Sequence, residues 1–144
     1  MAATAEGLSK EERDAVKDRA KELREEAKAG KNREAGEKAV AKAIAEMPES
    51  DAAIAGRIHE LVAEHAPQLM PKTWYSQPAY ANTEGKVILF VQSAAKFKTR
   101  YCTLGFSEDA QLDDGQMWPT SFAVTEITPA VEKRIAELIL GAAG

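Results

Sequence analysis

The sequence predicts an α+β fold: an antiparallel sheet of about four strands covered by helices, preceded by a charged helical N-terminal segment. Three observations lead there. Up to His65 the apolar residues recur at helical spacing, and after Pro67 the pattern changes to aromatic and β-branched residues broken by turn formers. The strand-like stretches also follow one another too closely for parallel crossovers, which need about a dozen or more residues and usually a helix. Finally, residues 1–50 hold 11 of the 19 Lys plus Arg and 12 of the 23 Asp plus Glu but few large apolar side chains. That shift in composition divides the chain into a charged segment, 1–49, and a compact domain, 50–144.

Ser9 and Glu12 have the Ser-x-x-Glu form of a capping box, so a helix is expected over Lys10 to Ala29. Its apolar stripe of Val16, Ala20, Leu23 and Ala27 is narrow, which fits a solvated helix better than a coiled coil, with a protein partner as the alternative use. Gly30 to Asn32 should end it, and Ala35, Val40, Ile44 and Met47 mark a second short helix that stops before Pro48. Ser50 is the expected cap of a third helix, whose Ile54, Ile58, Leu61, Val62 and His65 form its core-facing side.

Thr73 to Tyr80 reads as one strand, and Pro78 inside it requires an edge position or a bulge because proline cannot donate to a ladder. Asn82 to Gly85 is a turn. Lys86 to Gln92 contains Val87, Ile88, Leu89, Phe90 and Val91 without a polar break, as expected of an internal strand covered on both faces. Arg100 to Phe106 and Thr120 to Ile127 complete the sheet around an acidic loop. Thr128 and Pro129 provide an N-cap and first-turn proline for a last helix carrying Val131, Ile135, Leu138 and Ile139, with Gly141 placed to close it.

Composition narrows the function classes. A net charge of −4 gives no long-range attraction to nucleic acid phosphates. No run approaches the roughly 20 apolar residues of a membrane span, and the first residues lack the basic-then-apolar order of a secretory signal, so a cytoplasmic location is expected. The single cysteine, Cys102, shares a strand face with Leu104 and Phe106 and is expected to be an inert core thiol. Of the two histidines, His65 lies near an apolar stripe and His59 is expected to face solvent. The sequence contains no Gly-rich phosphate loop, GxSxG elbow or HExxH helix.

Two groups of residues carry candidate chemistry. Glu108, Asp109, Asp113 and Asp114, followed by Gly115, offer oxygen ligands to a hard cation such as Mg²⁺, Ca²⁺ or iron, although the spacing is not that of an EF-hand. The alternative is a capped turn, with Ser107 as cap and Glu108 and Asp109 in its first turn. Lys96, Lys98 and Arg100 alternate and would align on one side of a strand, where they could receive an anionic ligand together with Trp74, Tyr75, Tyr80 and Trp118. A solvated strand edge and a set of core aromatics are the plain alternatives. No nucleophile with a base and an orienting group is recognisable, so a non-catalytic binding module is expected, ahead of a metal-dependent enzyme using the acidic loop.

Pro67, Lys72 to Tyr75, Pro78 to Tyr80, Gly85 to Phe90, Arg100 to Phe106, Leu112 to Gly115 and Met117 to Ala123 together resemble the YdhG-like family of small bacterial proteins. This is a domain of unknown function that includes a frataxin-like iron chaperone. The resemblance covers about residues 50–140. It implies an α+β fold with an antiparallel sheet and, as function, iron handling. Iron would then be weakly held by the carboxylates of the acidic loop, since oxygen ligands on a solvated loop release an ion that a thiolate and imidazole cage would retain.

Overall fold

The computed structural model describes residues 9–144. The chain divides into two compact units, one ending at Glu34 and the other covering Ala35–Gly144. Helix α1 (Lys10–Ala45) begins in the first unit and ends in the second. Its start is capped as expected: the Glu12 N–H donates to Ser9 Oγ at 3.1 Å. The expected break at Gly30 to Asn32 is absent, and the two helices anticipated on either side of it are one. A glycine costs a helix only about 1 kcal/mol relative to alanine. The surrounding Ala, Glu and Lys tolerate that, and no proline forces the chain out before Pro48. Val16 is 59% exposed. The Leu23 and Ala27 side chains lie outside the described residues.

Within the second unit, the end of α1 is followed by α2 (Glu49–His65), β1 (Met70–Trp74), β2 (Gln77–Ala81) and β3 (Val87–Gln92). The short helix α3 (Ala94–Phe97), strands β4 (Cys102–Phe106) and β5 (Ser121–Val124) and helix α4 (Pro129–Ala143) complete it. The fold is α+β, with one antiparallel sheet ordered β1-β2-β3-β4-β5. It has five strands rather than four because the stretch from Thr73 to Tyr80 doubles back at Tyr75 and Ser76, which turn with φ of 51° and 63°. Trp74 then faces Gln77 and Thr73 faces Pro78. Pro78 is therefore not on an edge strand. In an antiparallel ladder the pair next to a hydrogen-bonded closing pair is unbonded, so the Pro78 nitrogen faces the β3 side. Registered pairing there begins only at Ala79, opposite Phe90, and a bulge follows at Tyr80 and Ala81.

β3 is the middle strand, as its apolar run requires. Pairings Tyr80–Leu89, Leu89–Phe106 and Leu104–Phe122 place these side chains on one face, where the buried Ile54, Ile58, Leu61 and Val62 of α2 and Ile135 and Ile139 of α4 complete the core. On the other face the Phe90 ring lies over Gly105, where a Cβ would meet it at 2.2 Å, and Trp74 packs against Phe90 at 5.1 Å. Arg57 of α2 pairs with Glu132 of α4 and lies 3.5 Å from Glu64. Gly36 of α1 lies against β1 so closely that a Cβ would be 1.9 Å from the Pro71 carbonyl oxygen.

The remaining boundaries follow local chemistry. Thr128 Oγ1 accepts from the Val131 N–H, and Pro129 opens α4 as expected, but the helix runs through Gly141 to Ala143. Pro48, not Ser50, stands at the N-cap of α2 and makes no side-chain cap bond. Asn82 Oδ1 accepts from the Glu84 and Lys86 N–H groups across the β2–β3 turn, with Gly85 at φ 81°. No helix among the described residues is long and apolar enough to cross a membrane.

Candidate functional site

The chemistry of the second unit concentrates around the segment joining β3 to β4. Ser93 follows β3 and caps α3: its Oγ accepts from the Lys96 N–H at 3.3 Å and donates to Asp51 Oδ2 at 2.7 Å. The same Asp51 oxygen accepts from the Ala95 N–H at 3.0 Å, and Oδ1 accepts from the Cys102 thiol at 3.4 Å. One buried carboxylate in the first turn of α2 thus joins three elements. Burial opposes its ionisation, but the Ala95 N–H, the Ser93 hydroxyl and the Cys102 thiol outweigh burial and hold Asp51 below the usual carboxylate range. Cys102 is buried, and burial followed by the Asp51 charge raises its thiol above the ordinary value. A thiol kept protonated in this way is a poor nucleophile.

This capped turn overturns the expected alignment of Lys96, Lys98 and Arg100. The segment is helical instead of extended, because Ser93 and Asp51 together engage the N–H groups that begin α3. Lys98 closes the turn in a left-handed conformation, φ 54°. Lys96 and Arg100 consequently border different clefts. The first cleft, about 340 Å³, is lined by Ala43 of α1 and by Glu46, Met47 and Pro48 after it, by Ser76 and Gln77 of the hairpin, and by Val91, Ser93, Ala95 and Lys96. The second, about 280 Å³, lies beside Asp51 and Cys102 and is bordered by Arg100, Tyr101 and Thr125.

The first cleft holds the polar group hardest to explain by folding alone. Gln77 is 7% exposed, and its Oε1 is buried with no hydrogen-bond partner. Its Nε2 donates to the Trp74 carbonyl at 3.4 Å, near the outer limit of a hydrogen bond. That bond fixes which end of the amide is nitrogen. An unpartnered buried acceptor costs about 1–3 kcal/mol. The adjoining turn adds strain, since two consecutive non-glycine residues in the left-handed region cost roughly 1–2 kcal/mol each.

The predicted aromatics do not form one pocket. Tyr75 is 76% exposed at the hairpin tip and Trp74 packs between it and Phe90. Tyr80 is core. Its hydroxyl is hydrogen-bonded to His59 Nδ1 at 2.8 Å, while His59 Nε2 donates to Glu37 at 2.8 Å. Burial, and after it the Glu37 charge, push the Tyr80 phenol well above its usual range. His59 therefore does not face solvent but links α1 through α2 to the sheet. Trp118 is half-buried in the loop before β5.

No protein-family model, curated protein or solved structure matches the chain. The candidate site therefore stands on its geometry. The acidic loop is a capped turn, with Ser107 Oγ accepting from the Asp109 N–H at 3.3 Å and donating to the Val87 carbonyl. Asp109 sits 3.8 Å from Lys86. Glu108, Asp113 and Asp114 are exposed. Among the described residues no three His, Cys, Asp or Glu side chains gather into a group that could hold a metal ion. Sequence reasoning missed Asp51, Gln77 and Glu46. Only Asp51 had a local signal, as an acid in the first turn of a helix, and that signal indicates a dipole contact rather than a buried anchor.

Proposed function

We propose that the Ala35–Gly144 unit is a non-catalytic binding module that takes a small polar molecule in the cleft beside Gln77. The observation that carries this reading is that Gln77, whose buried Oε1 has no hydrogen-bond partner, lines a 340 Å³ cleft. Pockets of this size suit small molecules and characteristically place a few polar groups among apolar ones. A ligand supplying an N–H or O–H would satisfy the acceptor. Only the soft terminal torsion of glutamine has to rotate for Oε1 to meet it, at the expense of a long bond to Trp74. The two groups nearest to a nucleophile and a base are separately committed, Cys102 to Asp51 and His59 to Tyr80 and Glu37, which favours binding over catalysis.

A heteronuclear NMR screen of polar metabolites against the full chain tests the proposal. Ligands should move the side-chain amide resonances of Gln77, and Gln77→Leu should abolish their binding. Leucine also removes the orphaned acceptor, so the free variant should be as stable as the parent or more so. Retained binding by Gln77→Leu, or ligands that perturb only residues outside this cleft, would refute the reading. The iron handling implied by the family resemblance has no comparable support from geometry, because the acidic-loop carboxylates do not converge. Anaerobic titration with Fe²⁺ addresses it separately.

A further inference from the structure

The first cleft carries one acidic and one basic side chain, Glu46 and Lys96, which do not form an ion pair with each other. The acceptors lie towards one chemistry. Glu46 follows the C-terminal end of α1, where helix carbonyls favour a cation, and Gln77 supplies a second, unpartnered acceptor. Lys96 is the only cationic side chain in the lining. The Ser93 hydroxyl is unavailable to a ligand, because it already donates to Asp51 and accepts from the Lys96 N–H. A singly charged molecule would pair with one lining charge and sit beside the other as a like charge. A molecule with an ammonium and a carboxylate at opposite ends satisfies both.

We propose that the ligand of this cleft is a small zwitterion, a free amino acid or a dipeptide, whose ammonium meets Glu46 and Gln77 Oε1 and whose carboxylate meets Lys96. The inference rests on the cleft being a binding site and adds the ligand class. Both charged residues lie outside the core, so they can be neutralised without disturbing the fold: Glu46 and Lys96 are exposed. Ser76, the second residue of the left-handed turn, lines the cleft, and its strained backbone fits a wall retained for a ligand rather than for stability.

Calorimetry on the full chain at low salt, with alanine, alanyl-alanine and the dipeptide capped by N-acetylation, C-terminal amidation or both, decides the matter. The free dipeptide or alanine should bind, the comparison between them separating the two sources. Each cap on the bound form should weaken affinity about tenfold or more, which corresponds to about 1.4 kcal/mol. In Glu46→Gln the N-acetyl cap should no longer matter, and in Lys96→Met the amide cap should no longer matter. If the doubly capped dipeptide binds as tightly as the free one and moves the Gln77 resonances, the zwitterion is wrong and the cleft remains a binding site. If neither alanine nor the free dipeptide binds, the zwitterion is likewise wrong, and the wider metabolite screen then decides the fate of the cleft.

Discussion

Asp51→Ala removes the acceptor shared by Ser93 Oγ, the Ala95 N–H and the Cys102 thiol. Ser93 keeps its bond from the Lys96 N–H but loses the acceptor for its own hydrogen, and the Ala95 N–H is left without a partner. At about 1–3 kcal/mol for each of these two unsatisfied groups, with the weak thiol bond ignored, the loss should be about 2–6 kcal/mol. That is a large part of the stability of about 5–15 kcal/mol typical of a domain. Asp51→Asn can keep its oxygen towards Ser93 and Ala95, so it gives up only the charge assistance, about 1–2 kcal/mol. The pH dependence has a definite sign. The folded carboxyl lies below its usual value, so its contribution is present above the unfolded carboxylate value of about 4 and disappears as pH falls through the folded value. Urea unfolding at neutral pH and at steps below pH 4 measures both effects. The parent should lose stability more steeply with acid than Asp51→Asn. A loss below about 1 kcal/mol for Asp51→Ala, or identical acid profiles for parent and Asp51→Asn, would refute the anchoring role.

Three further substitutions or measurements follow from the packing. Gly36→Ala would ordinarily stabilise a helix by about 1 kcal/mol. Here its Cβ meets the Pro71 oxygen at 1.9 Å, so the midpoint in urea should fall by an amount equivalent to about 1–3 kcal/mol. Ser76→Gly should raise the thermal midpoint by an amount equivalent to about 1 kcal/mol, since glycine adopts the left-handed conformation without strain. Cys102 should react with a thiol reagent far more slowly in the native protein than in urea, and equal rates would show that it is accessible.

How much of this could be read in the sequence depends on whether the determinant was local. The uninterrupted run from Val87 to Val91 announced a middle strand, and Thr128-Pro129 announced the start of α4, because the physics involved acts within a few residues. The β1–β2 turn carried no such mark. Two-residue hairpins are recognised by Asn-Gly or similar pairs, and Tyr75-Ser76 is held by its register, Trp74 against Gln77, and not by its own preference. The alternation of Lys96, Lys98 and Arg100 misled for a related reason: a period of two means a strand only if the backbone is extended. Ser93 before two alanines was the available sign that it is not. Asp51 and Gln77 were illegible because their roles depend on partners, or on the lack of them, in distant segments.

Every strand of the sheet pairs with its neighbour in the chain, β1 with β2 through to β4 with β5. In such a meander every ladder closes over a connection no longer than the 14 residues, 107–120, between β4 and β5, and topologies rich in short-range pairings fold quickly. A growing chain could therefore add one strand at a time in the order of synthesis. The bond between Arg57 and Glu132 is different, since 75 residues separate its ends. Contacts of α2 with α4 are thus placed to close last and to open first. Their loosening should appear chiefly as faster unfolding, with the refolding rate little changed. The durability of the native state over time then depends on how firmly α2 and α4 hold each other.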